Sequence, residues 1–173
     1  MAISIFKKVC FSVLLFLIVG CVPKYTWRAI PVIQQVDNQS YTARIHPISK
    51  YEGVFAGFRL TVDNKTGLDI EIDWNRTLYL HNGQTSGGFM YEGIIYANRN
   101  NPKAPDIVFA NSTFEKEIWP CNLVYYHRGL SADFSGWEHN TFPAGQNGVY
   151  LTMKVNAHEV HEKLMLDVEI IKE

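Results

Sequence analysis

Apolar and polar residues alternate with a period of two along most of the chain beyond residue 32. Phe58, Leu60 and Val62 alternate with Arg59, Thr61 and Asp63, and Leu68, Ile70, Ile72 and Trp74 alternate with Asp69, Glu71 and Asp73. That period marks a strand with one buried face, because successive side chains on a strand point to opposite sides of the sheet. Between the two runs, Asn64-Lys65-Thr66-Gly67 supplies turn-forming residues, so the pattern predicts a hairpin over 58–74. A second hairpin is predicted near the end of the chain, where Val149, Leu151, Met153 and Val155 are followed by Leu164, Leu166, Val168 and Ile170 at the same spacing. Shorter strands are expected over 33–36, 41–46, 77–80, 94–96, 107–110, 114–118 and 123–127. Beyond residue 21 no sustained 3.6-residue apolar stripe with helix caps is found. The chain therefore reads as all-β: a single antiparallel β-sandwich, immunoglobulin-like or related, with a closed barrel as the second architecture. The longest expected loops are 98–106 and 130–147, the latter holding Gly136, Trp137, His139, Asn140 and Pro143.

The first twenty residues break this pattern. Lys7 and Lys8 precede eleven uncharged residues, 9–19. At about 1.5 Å per helical residue that run spans roughly half of a hydrocarbon core of about 30 Å, which suits a cleaved signal helix better than a permanent span. The run ends in Ile18-Val19-Gly20-Cys21, a tetrapeptide that resembles the lipobox of bacterial lipoproteins. The resemblance implies cleavage between Gly20 and Cys21, with Cys21 becoming the diacylated first residue of the mature chain. Its thiol would then carry a thioether-linked glyceride and hold the protein on a membrane. Acyl chains contribute about 0.8 kcal/mol per buried CH₂, so more than one is needed for stable anchoring. Val22 stands where an Asp would signal inner-membrane retention in Gram-negative lipoproteins, so for a Gram-negative source the resemblance implies the outer membrane, facing the periplasm. Three segments follow: a signal peptide at 1–20, a lipidated tether at 21–31, and a β-sandwich domain at 32–173.

Composition narrows the classes further. With 47% hydrophobic and 19% charged residues the chain is too apolar to remain disordered. A formal net charge of −1 lacks the basic surplus that phosphate binding requires, so a nucleic-acid partner is not expected. Loss of residues 1–20 removes Lys7 and Lys8 and leaves 14 cationic against 17 acidic side chains, a mildly acidic mature domain with net charge −3.

The chemistry-bearing residues are sparse. His158-Glu159-Val160-His161 places its histidines three apart, whereas the helical zinc motif needs four, so both read as turn residues. Asp69, Glu71 and Asp73 could hold Ca²⁺ if loop carbonyls joined them, but a solvated strand face is the expectation. Gly83 to Phe89 has phosphate-loop glycine spacing without the lysine or the following helix, and reads as a turn. Cys121 is the only thiol left once residues 1–20 are removed and Cys21 is acylated, which precludes an intramolecular disulfide. No catalytic group, metal or cofactor is expected. The leading expectation is a non-catalytic envelope lipoprotein, held to the membrane by its lipid and contacting an envelope protein partner as an assembly or scaffold subunit. The alternative is a carbohydrate- or small-ligand-binding lipoprotein with Trp137, His139 and Asn140 as its binding loop. An enzyme, the third class, would need Cys121, His127 and His139 to converge.

Overall fold

The computed structural model describes residues 25–51, 53–128 and 136–172. The signal segment, Gly20 and Cys21 lie outside the described residues. Fourteen strands are formed: β1 (Tyr25–Ile30), β2 (Gln34–Asp37), β3 (Tyr41–Tyr51), β4 (Val54–Asn64), β5 (Ile70–Ile72), β6 (Leu78–His81), β7 (Gln84–Thr85), β8 (Phe89–Met90), β9 (Asp106–Val108), β10 (Thr113–Pro120), β11 (Val124–His127), β12 (Gly136–His139), β13 (Gly145–Val155) and β14 (His158–Lys172). Two single 3₁₀ turns, Tyr96–Asn98 and Cys121–Leu123, are the only helical elements among the described residues. The fold class expected from the alternation, an all-β antiparallel sandwich, is the one observed.

The first sheet runs β1-β14-β13-β5-β9, with β6 also paired to β13 and β7 to β6; the second runs β2-β3-β4-β10-β8; β11 and β12 form a separate two-stranded ribbon. The hairpin of β13 and β14 is in register over eleven pairs, from Gly145↔Val168 to Val155↔His158. Its two-residue turn, Asn156-Ala157, has φ of 50° and 64°, the left-handed pair that matches strand twist. Val149, Leu151 and Met153 from β13 and Leu164, Leu166 and Val168 from β14 pack against Ala43, Ile45, Phe58, Leu60 and Val62 of the second sheet. Phe142 fills the centre, its ring 4.6 Å from that of Phe58.

The predicted hairpin over 58–74 is not formed. The two runs are strands, but β4 pairs with β3 and β10 while β5 pairs with β13 and β9, so the Asn64 turn crosses from one sheet to the other. Asn64 explains the crossing. Its buried amide donates to the carbonyls of Leu68 (2.8 Å), Val108 (3.1 Å) and Phe109 (3.1 Å), and its Oδ1 accepts from the Thr66 amide at 2.9 Å. One side chain on β4 of the second sheet thus bonds backbone groups of the turn and of the β9 end in the first sheet. Lys116 on β10 ties the layers a second time: it pairs with Asp106 of β9, which also accepts from the Trp74 indole at 2.7 Å, and it lies 4.1 Å from the Tyr91 ring centre.

Three further expectations change. Residues 94–96 are not a strand; Ile94 packs beside Met90 and Cys121 in a small second core, and Tyr96 opens a 3₁₀ turn. Residues 25–30, read as part of the tether, form β1 against β14. The loop read over 130–147 contains β12 and the start of β13. Asn64→Ala is expected to lower the stability of the domain by about 1–3 kcal/mol, the cost of removing a buried amide that bonds the Val108 carbonyl. Urea unfolding followed by circular dichroism measures this, and an unchanged midpoint would remove Asn64 as the corner's fastening.

Candidate functional site

Outward-facing residues of β3, β4 and β10 form cross-strand rows on the second sheet. His46 stands opposite Arg59, and Arg59 opposite Glu117, with an Arg59–Glu117 ion pair at 2.9 Å. One row further along, Ile48 faces Gly57, and the indole of Trp119 leans across Gly57 from the other side. A Cβ at Gly57 would sit 2.6 Å from Trp119 Cδ1 and 2.8 Å from the Ile118 carbonyl oxygen, so the ring rests on bare backbone. This is the close approach for which a strand glycine is required.

The β11–β12 ribbon folds over this row. The His139 ring lies parallel to Trp119, 5.6 Å between centroids and 7° between planes, and Trp137 meets Trp119 edge-on at 5.3 Å. Lys50 fastens the ribbon to β3 by donating to Glu138 Oε2 at 3.1 Å and to the His139 carbonyl at 2.9 Å. The Tyr125 hydroxyl also donates to Glu138 Oε2, at 2.8 Å. Between ribbon and sheet lies a cleft of about 330 Å³, lined by His46, Ile48, Lys50, Arg59, Glu117, Trp119 and His139 among others.

The charges around the cleft are tuned by these contacts. The Tyr125 hydroxyl and then Lys50 hold the Glu138 carboxyl below its ordinary value. Burial works against the Lys50 ammonium, yet the hydrogen bond and charge of Glu138 leave it above its ordinary value. Burial, and then the Lys50 charge, push the His139 imidazole down. His139 is therefore neutral at pH 7, and its Nδ1 is buried without a hydrogen-bond partner among the described residues. The cleft wall therefore combines an imidazole, an ion pair and an indole, a mixed polar and aromatic lining.

Of the three residues proposed as a binding loop, His139 lines the cleft, Trp137 backs Trp119 from the small core, and Asn140 is exposed just past β12 with its amide on the Leu123 carbonyl. Cys121 lies in the small core, its thiol donating to the Arg99 carbonyl at 3.4 Å and pushed up by burial. That environment disfavours the thiolate a nucleophile would need. His127 is exposed on β11. His158 and His161 lie within β14 and not in the turn; His161 stacks on Tyr150 at 5.2 Å and contacts Glu159 Oε1 at 3.0 Å. Asp69 and Asp73 accept the backbone amides of Ala110 and Asn75. Among the described residues no three His, Cys, Asp or Glu side chains are gathered as a metal set. Lys50, Arg59 and Glu117 escaped the sequence reading because each is an ordinary strand residue, while His46 and Trp119 were visible in the sequence only as one of several dispersed histidines and one of four tryptophans. The one local signal was Gly57, a lone glycine inside an apolar strand pattern.

No family model matches this chain, and the search of curated proteins returns no match.

Gly57→Ala is expected to displace Trp119, cost about 1–3 kcal/mol by overpacking, and change the near-ultraviolet circular dichroism of the indole. An unchanged spectrum would show that the ring does not depend on the glycine. His139, with its pKa lowered in the fold, binds fewer protons folded than unfolded. It therefore contributes stability above the ordinary histidine range that is lost as pH falls through that range toward its folded value. His139→Gln should flatten the fall in melting temperature between about pH 7 and pH 5, the window of histidine titration; a slope equal to wild type would remove His139 as its source.

Proposed function

We propose that this protein is a bacterial envelope lipoprotein: acyl chains on Cys21 hold a non-catalytic β-sandwich at the membrane, where it acts as a binding or assembly subunit for an envelope protein. The anchoring reading rests on Lys7, Lys8, the uncharged run 9–19 and the Ile18-Val19-Gly20-Cys21 tetrapeptide. The binding reading rests on one observation, the cleft between the β11–β12 ribbon and the outer face of β3, β4 and β10. Aromatic and cationic groups at its rim are the types that anchor protein contacts. Tyr51 at the end of β3 and Tyr126 on the ribbon are further exposed aromatic residues.

A carbohydrate or another small polar ligand is the second reading, favoured by the Arg59–Glu117 pair facing an aromatic wall of Trp119 and His139. Two measurements test the proposal. Cys21→Ala should abolish incorporation of labelled fatty acid and release the protein from the membrane fraction; retention without acylation would refute the lipid anchor. A photo-crosslinking residue at Glu117 in the lipidated protein should capture one envelope protein in cells, and the same residue at Ile107, remote on β9, should not. Capture of no protein at Glu117, together with a melting temperature raised by soluble cell-wall sugars, would transfer the cleft to the ligand reading.

A further inference from the structure

The end of the sandwich from which β1 emerges carries a surface that the core does not use. β14 outruns β13: its last pair with β13 is at Val168, and residues 169–172 are paired only with β1, through Arg28↔Glu169, Trp27↔Ile170, Thr26↔Ile171 and Tyr25↔Lys172. Ile170 and Lys172 continue the inward-facing register of Leu166 and Val168, yet Ile170 is 40% exposed. Ile171 on the opposite face and Tyr25 are exposed as well. The β3–β4 turn lies against the same end, since the Trp27 amide donates to the Gly53 carbonyl at 2.6 Å. That turn carries Tyr51, 66% exposed. Lys50 Nζ lies 5.6 Å from the Tyr51 ring centre and 5.8 Å from that of Tyr125, so the aromatic set continues onto the ribbon.

We infer that this end is a membrane-contact surface, with Tyr25, Tyr51, Tyr125, Ile170 and Ile171 seated in the interfacial layer of a phospholipid bilayer. The inference rests on the lipid-anchor reading and adds an orientation to it. Chain length carries the argument. Only residues 22–24 separate Cys21 from Tyr25, so at about 3.3–3.6 Å per residue the first strand begins no more than roughly 14 Å from the acylated cysteine. The interfacial layer is itself about 5–8 Å deep on each side of the hydrocarbon core. A domain held that closely has its β1 end within reach of the interfacial layer, whatever covers its other faces. The residues found there are of the matching kind: tyrosine rings with an apolar body and a polar tip, two isoleucines, and an exposed Lys172 for headgroup phosphates. Leu68 and Phe109, which are equally apolar and more exposed than Ile171, lie toward the Asn156-Ala157 turn at the far end. The tether cannot bring them to the same bilayer.

The test uses the mature lipidated protein with Cys121→Ser, in phosphatidylethanolamine and phosphatidylglycerol vesicles, with a nitroxide placed singly through Tyr51→Cys, Ile171→Cys or Phe109→Cys. Mass spectrometry establishes acylation of Cys21, and unchanged melting temperatures establish that each variant is folded. Labels at 51 and 171 should show a several-fold higher ratio of collision with oxygen to collision with a water-soluble nickel complex than the label at 109. Equal ratios at all three positions, with Cys21 acylated, would overturn the membrane-contact surface and leave the anchor standing. Labels at 51 and 171 shielded from both reagents would mean that protein, a second copy or a partner, covers this end, and would also overturn it. A Cys21 without acyl groups would bring down the anchor and the inference together.

Discussion

The long hairpin of β13 and β14 is the constraint on which the other elements depend. Eleven cross-strand pairs closed by a two-residue left-handed turn fix the register of both strands, and a slip by one residue would turn every apolar side chain to the wrong face. β5 and β6 take successive segments of the free edge of β13, and β1 takes the free edge of β14. The hairpin also dictates what happens where it stops. Because β14 continues past Gly145, its last residues have β1 as their one strand neighbour among the described residues. Apolar residues patterned as core therefore stand in solvent.

The second sheet obeys a different local demand. Trp119 can lean over β4 only because position 57 has no Cβ, and the stacked His139 then gives the β11–β12 ribbon a surface to rest on. Lys50 completes the arrangement from β3, offsetting its burial through the Glu138 carboxylate and the His139 carbonyl. The cleft is what remains between a ribbon held at one end by stacking and an ion pair and a sheet whose outer face is polar. Its chemistry is that of strand residues whose side chains happen to point outward in adjacent rows.

The strands themselves were legible because a half-buried sheet writes its period directly into the sequence. The terminal hairpin and the sandwich class followed from that period alone. Pairing partners did not, because alternation identifies a buried face and says nothing of the neighbour. The Asn64-Lys65-Thr66-Gly67 segment has the residues of a hairpin turn and forms an inter-sheet corner, since the Asn64 amide bonds carbonyls more than forty positions away at Val108 and Phe109. The candidate site was legible only where residues were chemically conspicuous. Trp137 and His139 stood out in a glycine-bearing segment, but Arg59, Glu117 and His46 acquire meaning from a cross-strand register that no local window contains.

The short spacer and the overrunning strand belong to one argument about orientation. A freely tumbling domain with tyrosines and isoleucines exposed at one end would be liable to self-association. On the proposed lipid anchor the same end would have a place for them, because the interfacial layer accepts rings with one polar tip and solvates the unpaired end of a strand through its headgroups and water. In that orientation the cleft flanking Lys50 opens close to the bilayer surface, while β9 and the Asn156-Ala157 turn project away from it. If the proposed anchor holds, the direction of approach open to any partner of the cleft would be along the membrane, which would favour other membrane-bound molecules over freely diffusing ones.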